Sequence, residues 1–171
     1  RSSGRETVGR VAAGAVASLI LKELGITLCA YTKSIGPVSV NMENFQREAI
    51  LTTPTCMPDE ESSARAEAYL EECIAAHDSA GGVVECRVDG MPAGVGEPVF
   101  DKLDASLAKA LMSIGAVKAV EIGDGCAVSS STGTQNNDPF LTEDGMITKK
   151  SNHAGGILGG ISDGSPIIVR A

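Results

Sequence analysis

Residues 151–166 read SNHAGGILGGISDGSP, with paired glycines at 155–156 and 159–160 and another at 164. Glycine alone accepts positive φ and very close backbone approach at little cost, so this spacing constrains the fold more than any apolar run in the chain. It predicts tight turns and backbone packed hard against a surface, a ligand ring or another chain. The pattern touches on a dinucleotide fingerprint, but no clear strand precedes it and no helix follows, and a Rossmann reading is rejected. GVG at 94–96 fails for the same reason. Glycine supplies 20 of the 171 residues, well above the usual roughly 7%, so the demand for turns extends beyond this stretch.

The rest of the chain alternates helix and strand signals, an α/β (α+β) class in one domain, residues 1–171. Val8, Val11, Ala12, Ala15, Val16, Leu19 and Ile20 recur at three- and four-residue steps, one apolar helix face. Gly25 is its natural stop. Residues 26–36 read as a strand ending in a glycine turn, and 37–58 as a loop-rich excursion broken by Pro37, Pro54 and Pro58. Residues 58–82 open on proline and acids and end on His77 and paired glycines, a helix. A strand at 83–90, a loop at 91–100, a helix at 101–115 and a strand at 116–123 follow. The order helix–Gly25–strand–Gly36 resembles helix–Gly115–strand–Gly123, the pattern of an internal duplication. From 124 to 150 the chain turns polar and 129–138 reads as a loop, while IIVRA at the end starts a strand.

A net charge of −8 argues against wrapping nucleic acid. No apolar stretch long enough to cross a membrane as a helix appears, and no signal-peptide pattern opens the chain. The cysteines, Cys29, Cys56, Cys73, Cys86 and Cys126, are odd in number and form no C-x-x-C pair, so reduced thiols and a cytoplasmic setting are expected. His77 and His153 stand apart, and no metal site is expected.

A few residues suit chemistry. Arg1, Ser2 and Ser3 precede the first helix, and Ser3 with Glu6 makes the S-x-x-E capping box. Exposed first-turn amides, two hydroxyls and a guanidinium also suit an anion, so the spacing fits a cap and an anion seat alike. Gly115-Ala116 join a helix to a strand; small residues there cap the helix or let a flat ligand approach. His153 has the side-chain type that titrates near neutrality, suited to moving a proton or to a plain loop hydrogen bond. His77, Glu97 and Asp101 read as structural.

Taken together, these segments resemble chorismate synthase. RSSGRETVGRVAAG (1–14) is similar to the family's R-S-S-A-R-E-T-x-x-R-V-A-A-G signature. Residues 92–125, GTQNND (133–138) and SNHAGGILGGISDG (151–164) match further family blocks in order. Gly4, Ala119 and Cys126 depart from the usual residues without removing a charge. The resemblance implies a β-α-β sandwich with antiparallel sheets inside and helices outside. It implies conversion of 5-enolpyruvylshikimate-3-phosphate to chorismate by 1,4-elimination of phosphate, with reduced FMN (FMNH2) as cofactor and a homotetramer as the assembly. NADP-linked flavin reduction, internal or by a separate reductase, stays open. By the same resemblance Arg1, Ser2, Ser3, Gly115, Ala116 and Gly159 contact FMN; His153 is the catalytic candidate by its side-chain type alone, and the family's acid-histidine role is not carried over to it. The resemblance further implies an internal piece, about half the family's length, that lacks the family's acid histidines. The alternative is a folded, self-associating core without activity in isolation.

Overall fold

The computed structural model describes residues 4–143 and 145–171. The chain divides into two compact units, one comprising the residues up to Cys29 with Cys86–Ala171, the other Ala30–Glu85.

In the larger unit, a 3-10 turn, Gly4–Glu6, runs directly into helix α1, Thr7–Glu23. The helix stops where expected: Gly25 takes φ +77°, and the Leu24 and Gly25 N–H groups return to carbonyls of the last turn. Its predicted apolar face does not pack. No residue of α1 is buried, and Val8, Val11 and Leu19 are 71%, 65% and 67% exposed. Contact with the core is made by Leu21, on nearly the opposite side of the helix at 3.6 residues per turn.

Helix α4, Leu103–Met112, contributes Leu103 and Leu107 to the same core, which centres on Ile26, Val88, Ile157 and Ile167. Four strands carry those residues or their neighbours: the start of β1, Thr27–Ile35; the end of β3, Gly82–Asp89; β4, Glu121–Ile122; and β9, Ile167–Arg170. Their order in this unit is β1–β3–β9–β4, with β4 antiparallel to β9 through Glu121↔Arg170 and Ile122↔Val169.

Several expectations change here. The strand foreseen at 116–123 shrinks to two residues. Ala116 holds φ +70°, and residues 117–120 have no strand pairing. Of the two segments read as alike, β1 spans nine residues and β4 two. The polar stretch is not all loop. It contains a 3-10 segment, Gly125–Ser130, and an antiparallel hairpin of β5, Phe140–Glu143, and β6, Met146–Lys149. The glycine-rich stretch folds into a second small hairpin, β7, Ile157–Leu158, against β8, Ile161–Ser162. Two residues connect them, Gly159 (φ +63°) and Gly160 (φ +88°), the backbone of a type I′ turn.

In the smaller unit β1 continues to Gly36 and turns back into β2, Val38–Ser39, with Ser34 opposite Ser39. On its other side the Gly36 N–H donates to the Gly81 carbonyl at 2.9 Å, just before β3. A single turn, α2, Ala49–Thr52, lies in the loop-rich excursion. Helix α3, Glu60–Ala75, starts at Asp59, whose Oδ1 accepts the Glu61 N–H at 3.2 Å. The core is Val40, Met57 and Ala66. Tyr31 is buried with its ring edge-on to Phe45, and its hydroxyl donates to the Glu85 carboxylate. The class is mixed helix with antiparallel sheets, as expected.

Candidate functional site

The glycine-rich loop is held by two carboxylates from the polar stretch. Asp138 Oδ1 accepts the Ser151 hydroxyl at 2.7 Å and the His153 N–H at 2.8 Å, and Oδ2 accepts the Ala154 N–H at 2.9 Å. Asn152 adds a clasp: Nδ2 donates to the Pro166 carbonyl at 2.8 Å, and Oδ1 accepts the Gly156 N–H at 2.9 Å. Asp124 closes the other side. Its N–H donates to the His153 carbonyl at 2.8 Å, and its Oδ2 lies 2.6 Å from His153 Nδ1. His153 is therefore fixed in the larger unit by backbone and side chain together.

The expected tight packing of glycine backbone is present, but mostly against the chain's own backbone. A Cβ on Gly123 would sit 2.1 Å from the His153 carbonyl oxygen, and one on Gly156 2.6 Å from that of Pro166. Gly159 differs: a Cβ there would meet nothing within 4 Å. Its neighbour Gly160 accepts the Leu103 N–H at 2.8 Å, which seats the first turn of α4 on this hairpin.

The far end of α4 meets α1. Arg10 Nη1 donates to the Ser113 hydroxyl at 2.9 Å, and Nη2 to the Ser113 carbonyl and Glu6 Oε1, each at 3.0 Å. Glu6 thus pairs with Arg10 at i,i+4; the expected capping box involves Ser3, which with Arg1 and Ser2 lies outside the described residues. Gly115 and Ala116 follow in an exposed turn. A groove of about 590 Å³ runs along α4 from Phe100 and Asp101 past Ser106 and Lys109 to Ser113. Gly159 and Gly115-Ala116 hence lie by opposite ends of a ten-residue helix, about 15 Å apart by its rise.

Both positions leave backbone open at the surface. Ala116 holds a conformation that L residues rarely adopt, at an exposed turn, and such strain clusters where ligands are clamped. Gly159 presents backbone with no side chain in front of it.

Sequence reasoning did not single out Arg10, Asp124 or Asp138, although all three fall in the quoted blocks. Ser113, the partner of Arg10 across the fold, and the loop partners of Asp124 and Asp138 are distant in sequence, so spacing carried no signal for these contacts. It also missed a second cavity, about 490 Å³, lined by Phe140, Lys149, Lys150, Asp163 and Ser165. There Lys149 pairs with Asp163. His77, Glu97 and Asp101, read as structural, take part in backbone bonds. The His77 N–H closes on the Ile74 carbonyl, and Glu97 and Asp101 exchange backbone bonds. All five cysteines are thiols. Among the described residues no cluster of three or more His, Cys, Asp or Glu side chains is arranged to hold a metal, and no helix is long and apolar enough to cross a membrane.

The electrostatics predict an acid limit. Burial pushes the Asp138 carboxyl up, but the Ala154 and His153 N–H groups and the Ser151 hydroxyl outweigh it and hold it low. Burial likewise opposes the Lys149 and Ser165 bonds that hold Asp163 low, and the Cys126 N–H with Arg170 lowers Glu121. Folded-state values below the unfolded ones stabilise above the unfolded value and stop doing so as pH falls through the folded one. Urea midpoints are expected to be level from about pH 5 to 8 with respect to these groups and to drop below about pH 4. A midpoint already falling at pH 6 would contradict this assignment.

The fold and these loops define an α/β chain with a glycine-rich loop braced by part-buried hydrogen bonds. The chorismate synthase family model matches residues 1–171. The chain is 60% identical over 172 residues to a chorismate synthase of Lachnoclostridium phytofermentans, covering 100% of this chain and 47% of that protein. It is 54% identical over 171 residues to that of Agathobacter rectalis, with the same coverage. A solved structure titled "Crystal Structure of Chorismate Synthase" superposes with a TM-score of 0.91 at 34% identity, over 98% of this chain and 55% of that chain. This chain belongs to the chorismate synthase family. It spans about half the length of the curated relatives it matches.

Proposed function

We propose that this chain is part of the single catalytic domain of an enzyme that converts 5-enolpyruvylshikimate-3-phosphate to chorismate and phosphate by 1,4-elimination. Reduced FMN is its cofactor, and a cytoplasmic homotetramer belongs to the same reading. The whole-length family match is the observation that carries it. Reduced flavin, when bound, supplies a transient electron to a reaction with no net redox change.

The chain's own residues then have distinct tasks. Arg1, Ser2 and Ser3 bring a guanidinium and two hydroxyls, groups that suit an anion. The Gly115-Ala116 turn and Gly159 present flat backbone edges without side chains that would hold a ring away. His153, with Nδ1 beside the Asp124 carboxylate, has Nε2 left to accept and hold a proton. Asp138 and Asn152 keep that loop from rearranging.

The test uses Gly159→Asn. Asparagine is favoured at the first position of a type I′ turn, so the fold should change by less than about 1 kcal/mol. The side chain would still fill the open space over residue 159. Titration with reduced FMN is expected to show affinity down by about tenfold or more, roughly 1.4 kcal/mol per decade. Unchanged affinity would remove Gly159 from the cofactor contacts.

A second reading, a self-associating core without activity in isolation, draws on the bare apolar face of α1. Sedimentation of residues 1–171 alone, with an anaerobic turnover assay, separates the two: an associating, inactive species supports it, and turnover rejects it.

A further inference from the structure

We infer that Arg10 is a positioning residue that holds the Gly115-Ala116 edge of the proposed flavin seat against the first turns of α1. This rests on the flavin reading above.

Three groups converge on one guanidinium. Ser113 is the C-terminal cap of α4, and its carbonyl is among those a helix end leaves without an intrahelical partner. A fixed cation there also meets the negative end of the helix dipole. Arg10 supplies both, and takes the Ser113 hydroxyl with its other nitrogen, a forked grip on one residue. Glu6, one turn earlier on the same helical segment, holds the guanidinium from behind. The grip therefore fixes direction as well as distance. Two residues beyond Ser113 comes Gly115, and next Ala116 at φ +70°. A turn with that backbone strain needs surroundings that hold it. Arg10 holds the start of this turn to α1, so one side chain fixes the edge of the turn proposed to meet the flavin.

A surface ion pair of ordinary kind predicts something else. Arg10 and Glu6 side chains are 39% and 54% exposed, and such pairs contribute little to stability. A merely structural Arg10 would thus leave both melting temperature and flavin affinity nearly unchanged when substituted.

The experiment compares the purified protein with Arg10→Met, Arg10→Lys and Ser113→Ala. Each is titrated anaerobically with reduced FMN, following fluorescence and the absorption spectrum of the bound flavin, and each is melted in parallel. Arg10→Met is expected to weaken FMN binding about tenfold and to alter the bound spectrum, with Tm within about 3 °C of the parent. Arg10→Lys is expected to lose as much, because a point ammonium does not replace the planar fork. Ser113→Ala, the variant that disturbs the fold least, is expected to lose about threefold, since the carbonyl contact remains. Parent-like affinity in Arg10→Met overturns the inference. Parent-like affinity in Arg10→Lys alone does so too, because charge and not the fork would then be the cause. Absence of FMN binding by the parent protein overturns the flavin reading itself and this role with it.

Discussion

Gly123→Ala is expected to cost more than about 4 kcal/mol, read as a shift in the urea midpoint of the larger unit. One methyl group is the whole change. It would lie 2.1 Å from the His153 carbonyl oxygen, 2.5 Å from the Gly155 nitrogen and 2.6 Å from the Ala154 carbonyl carbon. All three are backbone atoms, so no side chain can swing aside. Nor can the backbone drift, because bonds on each side tie it. The Gly123 N–H donates to the Ile168 carbonyl at 2.9 Å, the Ile168 N–H to the Gly155 carbonyl at 3.2 Å, and Asp124 to His153 at 2.8 Å. The positive φ of +58° adds a further cost, about 1–2 kcal/mol for an L residue. Gly25→Ala is the control. It has a similar φ, +77°, with nothing within 4 Å of the new methyl, so only the conformational cost of about 1–2 kcal/mol applies. If Gly123→Ala and Gly25→Ala lose equal stability, the close backbone approach at Gly123 is not what requires glycine there.

Lys149→Met is expected to cost about 3–5 kcal/mol, the usual penalty for stranding one member of a buried pair. The two side chains are 6% and 13% exposed, and the ammonium also lies 5.5 Å from the Phe140 ring centroid. Methionine fills much the same volume, so the loss comes from leaving the Asp163 carboxylate without its cation. That cause has a pH signature. Without Lys149, burial raises the Asp163 carboxyl unopposed by its largest stabilising partner. As pH falls that carboxyl should take up its proton sooner in the variant than in the parent, which removes the stranded charge, so the deficit against the parent should shrink toward pH 3. Replacing Asp163 as well, by Leu, should recover part of the loss but not all, because Asp163 also accepts the Ser165 N–H at 2.9 Å. A deficit of equal size at pH 3 and pH 7 would point to packing as the cause.

The proposed site was legible in the sequence only where its parts are local. Gly159 stands out because paired glycines around two apolar residues demand a turn, and the turn exists. Asp138 and Asp124 did not stand out. Each acts on a loop 13 to 29 residues away, and nothing in the spacing of a polar stretch marks which acid will be used. Arg10 lay inside a quoted signature, yet its partner Ser113 is 103 residues distant. Of the first group expected to contact FMN, Arg1, Ser2 and Ser3 lie outside the described residues.

The elements divide in the same way. Helices α1, α3 and α4 and the long strands β1 and β3 were set by the sequence itself: apolar period, breakers, and glycines where the chain must reverse. Each of these signals acts within a few residues, so each survives without knowledge of the rest of the molecule. Tertiary structure alone decided where β4 pairs, Glu121 with Arg170 and Ile122 with Val169. It turned residues 140–149 into a hairpin. It also decided which side of α1 packs within this chain, because burial depends on what lies opposite: Leu21, outside the period, packs against the core of Ile26, Val88, Ile157 and Ile167.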